Sequence, residues 1–177
     1  MNVSYRAEII QKLTAREAIR KRPRMYVGAT NGQGILYLVC ELIHNSIEEA
    51  LAGYCNQIDV DLNYDGSIAV TDNGRGISTE LYPKTEKSFL ESVMTTMFAR
   101  DCGSNERYKV TGGWNGFGLA VVNALSEWVK ITVWREGKTS SQKYERGIAL
   151  TELEVIPSTE YRAGNAARTG IQRYRSL

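Results

Sequence analysis

Between Leu36 and Gly53 the chain carries its most regular pattern: Leu36, Val39, Cys40, Ile43, Ile47, Ala50 and Leu51 recur at helical spacing. The spacing predicts a helix over 35–52, with Gly53 as its stop. On a wheel turning about 100° per residue, Asn45 lies about 40° from Glu41, Glu48 about 20° to the other side, and Glu49 about 80° away. The apolar residues centre on nearly the opposite direction. One face is expected to be core, the other a stripe of carboxylates around one amide. Two readings of that stripe stand. It is a solvated polar face, or it is a site in which the Asn45 carbonyl oxygen suits a hard cation such as magnesium. In the second reading Glu41, one turn away, accepts a proton from water.

A hairpin should follow the helix. Ile58, Val60 and Leu62 alternate with Asp59, Asp61 and Asn63, Asp65-Gly66 is a turn signal, and Ile68 and Val70 resume the alternation. The second strand runs into Asp72-Asn-Gly-Arg-Gly76-Ile77, a loop by composition. There Asp72 is either an ordinary turn residue or an acceptor for an exocyclic amine such as that of adenine. Short helices are predicted over 7–20, 88–99 and from Leu119 to Leu125. A second hairpin is predicted from Val129–Trp134 and Ser141–Tyr144, and the tail from Pro157 shows one weak strand signal near Ile171.

The run Thr111-Gly-Gly-Trp-Asn-Gly-Phe-Gly118 places four glycines in seven residues before the helix at Leu119. Backbone N–H groups there can approach a phosphate closely, and a helix N-terminus favours anions. It lacks the Gly-Lys-Ser/Thr of a Walker A loop. The alternative is a flexible loop whose glycines serve turns.

Net charge is +2 over 177 residues, so the chain is no polyelectrolyte. The basic run Arg16, Arg20, Lys21, Arg22 and Arg24 reads as a solvated helix end or as a phosphate-seeking patch. Three cysteines without a CxxC pair, and one histidine, argue against zinc and for a reducing compartment. No apolar run approaches the roughly 18 residues of a membrane span, and the start has no signal-peptide pattern. A soluble, cytoplasmic protein with no membrane contact is expected.

Taken in order, these motifs resemble a known family: the ATPase domain of the B subunit of bacterial DNA gyrase, in the superfamily that gyrase shares with histidine kinases, HSP90 and MutL. The resemblance rests on Arg20-Lys-Arg-Pro-Arg-Met-Tyr-Val-Gly28, Glu41-Leu-Ile-His-Asn45 through Gly53, Val70-Thr-Asp72-Asn-Gly-Arg-Gly76-Ile77, Tyr108 through Gly118, and Val121-Val-Asn-Ala-Leu-Ser126. Wording around Ile58-Asp-Val-Asp and Ser126-Glu-Trp-Val is similar to cyanobacterial versions.

The resemblance implies an α+β fold: a two-layer α/β sandwich with helices on one face of a mixed sheet. It implies Glu41 as general base for the water that attacks the γ-phosphate, Asn45 as a magnesium (Mg2+) ligand, and Asp72 as acceptor from the adenine amine. Glu49 and Arg75 would form a salt bridge over the adenine, and Gly76 and Ile77 would line the base pocket. Gly113, Trp114, Asn115, Gly116, Phe117 and Gly118 would meet the phosphates, with Lys109 in the lid. Tyr5 resembles an arm residue that reaches a partner subunit's nucleotide. The implied function is ATP hydrolysis driving DNA topology change in a type II topoisomerase. Implied partners are ATP, a homodimer mate or gyrase subunits, and DNA only through a larger assembly.

Several positions depart from the family pattern. His44 stands before Asn45 in place of aspartate, Ser78 replaces proline, and 98–103 has lost a lysine and a glycine. Trp114 and Phe117 are bulkier than usual and are expected to alter lid closure. Matching the family's Thr-Gly-Thr to Thr169-Gly170-Ile171 puts isoleucine beside the adenine. The chain reads as a single ATP-binding domain over 1–177, best matched over 7–157, with 158–177 a weakly matched tail and no transducer or DNA-cleavage domain. The alternative is a stand-alone divergent paralogue that acts as a regulatory or interaction module without efficient turnover.

Overall fold

The computed structural model describes residues 13–82, 86–97, 116–158 and 163–170. Helix α1 spans Ala15–Lys21. Its Thr14 cap accepts from the Glu17 N–H at 3.2 Å, while the Glu17 carboxylate accepts from the Thr14 N–H at 2.8 Å. This reciprocal cap satisfies two otherwise orphaned donors. Arg22-Pro23 ends the helix. A single turn, α2, covers Arg24–Val27, and the long helix α3 covers Gly32–Leu51, capped by Asn31. Strands β1 (Ile58–Leu62) and β2 (Ile68–Asp72) form the expected hairpin. Helices α4 (Phe89–Thr95) and α5 (Gly118–Leu125) follow.

Strands β3 (Trp128–Arg135) and β4 (Lys138–Glu145) pair across Glu136-Gly137, both at positive φ, the geometry of a tight two-residue hairpin. Two short strands, β5 (Ile148–Ala149) and β6 (Glu154–Pro157), pair with opposite ends of β4. The last described strand, β7 (Gly164–Gly170), does not lie at the periphery. It inserts between β2 and β3, giving the order β1-β2-β7-β3-β4-β5. The weakly patterned tail thus supplies a central strand. The sequence GNAARTG hides it because Thr169 is its one β-branched residue and it has no aromatic one, and those are the types that mark strands.

Helices cover one face of the sheet, the expected α+β two-layer arrangement. Each of the six ladders between named strands is antiparallel, a narrower description than the mixed sheet expected from the sequence. Register aligns Val70, Ala167, Ile131 and Gln142 across four strands on the covered face. Leu38 and Leu42 of α3, Leu90, Val93 and Met94 of α4, and Val121 and Val122 of α5 bury against Val70, Val129, Ile131 and Val133. Each such side chain is worth roughly 1.5–3 kcal/mol of burial. The inner face of β4 is polar instead. Tyr144 donates to Gln142 Oε1 at 2.6 Å, and Gln142 Nε2 donates to Glu91 at 3.2 Å and to the Thr151 carbonyl at 3.1 Å.

The orientation of α3 corrects the wheel. Its buried positions are Gly34, Leu38, Val39, Leu42 and Ser46, whereas Leu36 and Leu51 are 62% and 67% exposed. The buried face lies beside the Glu41–Asn45–Glu49 stripe, not opposite it. The reason is that those polar residues are themselves half-covered by the loop after β2 and by the start of α5. The basic run is split as well. Arg20 donates to the Ala124 carbonyl at the end of α5 at 2.9 Å and Arg16 to the Arg146 carbonyl at 2.6 Å, while Lys21, Arg22 and Arg24 face solvent. A cation suits a helix C-terminus.

Candidate nucleotide site

The site forms where α3, the end of β2 and the N-terminus of α5 meet. Asp72 closes β2 and is 3% exposed. A buried carboxylate needs donors, and four are in place. Oδ1 accepts from the Gly74 N–H at 2.9 Å and the Asn165 N–H at 3.3 Å; Oδ2 accepts from Ser46 Oγ at 3.0 Å and Asn165 Nδ2 at 3.2 Å. The Asn165 carbonyl oxygen in turn accepts from the Ile77 N–H at 2.9 Å. That bond fixes which end of the amide faces Asp72.

Asn165 is the residue that sequence reasoning missed. Its signal, a polar side chain two places into a run of small residues, is faint. Of the segment matched to the family's Thr-Gly-Thr, Thr169 and Gly170 are described. Thr169 pairs with Ile68 at the far end of β2 and donates to Ser126 Oγ at 2.7 Å. Ile68 is four residues from Asp72, about 13 Å along a strand. Asn165 reaches Asp72, whereas Ile171 lies outside the described residues. Ser46 went unnoticed because it sits next to Asn45 on the core side of α3.

Glu49 and Arg75 form the expected ion pair. Arg75 Nη2 and Nε donate to the two Glu49 oxygens at 2.8 and 3.0 Å, and the Arg75 N–H adds a third bond at 3.0 Å. The guanidinium carbon stands 3.9 Å from the centroid of the Tyr54 ring, a cation–π contact. Gly74 fits between Asp72 and Glu49: a Cβ there would come within 3.0 Å of both side chains. Gly76 packs under the end of β3, where a Cβ would meet the Trp134 carbonyl at 2.9 Å, and Arg135 holds the Gly76 carbonyl at 3.0 Å. Ile77 is half-buried against the core.

At the other side, the Glu41 carboxylate lies against Gly118, the first residue of α5; a Cβ at Gly118 would overlap Glu41 Oε2. The N-cap residue of α5, Phe117, makes no side-chain cap bond, and a helix N-terminus is a place where an anion is favoured. Phe117 turns inward and meets Tyr26 of α2 edge-on, with ring centroids 6.0 Å apart. Its bulk is absorbed by packing. Asn45 is half-buried one turn from Glu41, and Gly116 immediately precedes Phe117. Tyr5, Lys109, Gly113, Trp114 and Asn115 lie outside the described residues. No helix among the described residues is long and apolar enough to cross a membrane.

A buried acceptor at a strand end, a glutamate on the facing helix and an uncapped helix N-terminus define a nucleotide-binding fold. The profile of the histidine kinase-, DNA gyrase B-, and HSP90-like ATPases matches residues 30–156, and the chain belongs to that family. It is similar to the B subunit of DNA gyrase from Synechocystis, at 48% identity over 91% of this chain, and to that from Thermotoga maritima, at 48% over 88%. Similarity to the Archaeoglobus fulgidus protein of the same name is 50% over 89% of the chain. These identities single out no lineage. The chain spans 15%, 24% and 26% of those relatives' lengths. The crystal structure of the 43K ATPase domain of Thermus thermophilus gyrase B, in complex with an aminocoumarin, superposes with a TM-score of 0.79 at 36% identity, covering 93% of this chain and 42% of that one. The chain is thus an ATP-binding domain of the gyrase B type, and the alternative of a divergent stand-alone module is not favoured.

Proposed function

We propose that this domain binds ATP with magnesium and hydrolyses it as part of a type II topoisomerase, with DNA and gyrase subunits met only in the larger assembly. The observation that carries the reading is the buried Asp72 carboxylate, held by Ser46, Gly74 and Asn165 as an acceptor for the amine of an adenine. Gly76 and Ile77 line the base, and the Glu49–Arg75 pair borders it. The triphosphate runs toward the N-terminus of α5, where Gly116, Phe117 and Gly118 offer backbone donors. Gly113, Trp114 and Asn115 extend that cradle, Lys109 belongs to the lid, and Tyr5 reaches the nucleotide of a homodimer mate.

Glu41 takes a proton from water as the water oxygen bonds to the γ-phosphorus. The bond from phosphorus to the β–γ bridging oxygen breaks, and its electron pair leaves with ADP. Magnesium usually takes one or two protein oxygens together with waters and substrate phosphates. Asn45, a neutral oxygen donor one turn from Glu41, fits that demand, whereas no cluster of three His, Cys, Asp or Glu among the described residues offers a cage. When bound, the ion neutralises charge on the phosphates. Calorimetric titration with ATP and magnesium, beside phosphate release, tests the reading. Binding that is selective for ATP over GTP is expected, and no heat at millimolar ATP would overturn it.

A further inference from the structure

The nucleotide site leaves the basic run at the start of the chain unused. The fold divides that run in two. Arg16 and Arg20 lie one turn apart on α1 and dock it, on the Arg146 carbonyl at 2.6 Å and the Ala124 carbonyl at 2.9 Å. Lys21, Arg22 and Arg24 follow around the corner between α1 and α2, and all three are exposed. Among the described residues none of the three forms an ion pair. The one carboxylate of α1, Glu17, is spent at the other end of the helix, where it accepts from the Thr14 N–H and hydroxyl at 2.8 Å each.

Arg146 adds a fourth exposed cation from the β4–β5 turn, at φ +47°, a backbone region that side chains other than asparagine and aspartate rarely adopt. Its guanidinium meets Glu127 only at 3.8 Å. Its carbonyl is bonded to Arg16, so its backbone stands on the order of 10 Å from Lys21 along α1. A helix C-terminus favours cations, which accounts for Arg20 and Lys21 in the last turn of α1. Arg24 and Arg146 lie outside that helix. Four positive charges thus gather against one carboxylate, and a polyanion relieves their repulsion. We propose that this corner binds the phosphate backbone of duplex DNA. The proposal rests on the reading of the domain as part of a type II topoisomerase, which makes DNA the polyanion at hand. Duplex DNA carries one charge per about 1.7 Å of axis, so a span of about 10 Å presents about six phosphates. Arginine suits them, because its planar fork makes paired bonds to phosphate oxygens. Such contacts position a duplex without reading its sequence.

The test is the binding of a short fluorescent DNA duplex to the full chain, read by anisotropy over a series of salt concentrations. Wild type should bind at low salt, lose affinity steeply as salt rises and show no preference among duplex sequences. Lys21→Ala, Arg22→Ala and Arg24→Ala combined should weaken binding at least about tenfold at low salt and flatten the log–log salt slope by about 3. The charge-matched control combines Lys130→Ala, Lys138→Ala and Lys143→Ala, three exposed lysines of the β3–β4 hairpin. It should leave DNA binding within about twofold of wild type. A wild type that ignores the duplex at low salt overturns the proposal. Equal losses in the two triple variants overturn it as well, because net charge alone would then be the cause. Tighter binding of polyglutamate than of the duplex at the same salt also overturns it, in favour of an acidic protein partner. Calorimetric titration with ATP keeps the two readings apart. The first triple variant should bind ATP as wild type does, which also shows that it is folded. A wild type without ATP binding overturns the nucleotide reading instead, and the anisotropy series still decides whether the corner holds DNA.

Discussion

Asn165 holds Asp72 twice, through its backbone N–H at 3.3 Å and its side-chain Nδ2 at 3.2 Å, while its own carbonyl is occupied by Ile77. The central strand β7 therefore sets both the orientation of the base acceptor and the path of the loop beside it. Asn165→Leu removes the side-chain donor to Asp72 and strands the Ile77 N–H. The expected cost is about 1–3 kcal/mol of stability, because the part-buried Ile77 N–H is left unpaired and the Asp72 carboxylate loses one of its four donors, with ATP affinity falling at least about tenfold. Chemical denaturation and calorimetry check the two effects. Unchanged ATP affinity would remove Asn165 from base recognition.

Glu41→Ala separates binding from turnover. The adenine acceptor is untouched and only the contact of Glu41 with Gly118 at the α5 N-terminus is lost, so ATP affinity should stay within a few-fold of wild type. Phosphate release should fall about 10²–10⁴-fold, the usual contribution of a general base. Phosphate assays at saturating ATP decide the point. Equal rates for variant and wild type would mean that another group activates the water.

What the sequence revealed and what it concealed have separate physical causes. Helix α3 and the β1–β2 hairpin were legible because periodicity and turn chemistry are local. So were the candidate positions Glu41, Asn45 and Asp72 and the Glu49–Arg75 pair, because the family spacing is carried by short motifs. The rotation of α3 was not legible: Leu36, Ile47 and Leu51 look like core residues on a wheel, yet they face solvent. Which stripe is buried depends on where α5 and the loop after β2 lie, and that is tertiary information. Strand β7 was concealed because small residues sit in the middle of the sheet. Gly164 must be small there, since a Cβ would overlap the Asp72 carbonyl.

That packing makes Gly164→Ala a sharp probe. Gly164 has φ +128°, a conformation that side chains rarely adopt, in addition to its contact with Asp72. The substitution should destabilise the fold by more than about 2 kcal/mol, from strain and overlap together. Gly28→Ala is the control, because a Cβ there meets nothing within 4 Å although φ is +71°. Its cost should stay near the backbone term alone, about 1 kcal/mol. Urea midpoints for the two variants measure the difference. Equal losses would show that the overlap at Asp72 is relieved by a small shift.

The Glu49–Arg75 pair should not accept lysine. Arg75 makes two parallel bonds to the carboxylate and stacks on Tyr54, and an ammonium does neither well. Arg75→Ala is expected to cost on the order of 1–3 kcal/mol, since Glu49 is 14% exposed and loses its charged partner. Arg75→Lys should recover less than half of that. Full rescue by lysine, read from thermal melts, would reduce the pair to simple charge neutralisation.

Alkaline pH offers the last test. Burial raises the hydroxyls of Tyr37 and Tyr144, aided by the negative charges of Glu41 and Glu91 respectively; Tyr37 reaches about 12. A tyrosine in the unfolded chain ionises near about 10. The folded state therefore holds these protons where the unfolded state releases them, and stability falls as pH rises above about 10. Below about pH 10 the contribution is fully present, because both states are neutral. Tyr144→Phe should lower stability at neutral pH, since Gln142 Oε1 loses its 2.6 Å donor. The same variant should lose less stability than wild type between about pH 10 and pH 12, because one raised hydroxyl is gone. Urea unfolding followed across that range gives both numbers. Parallel curves for variant and wild type would mean that Tyr144 ionises alike in the folded and unfolded chains.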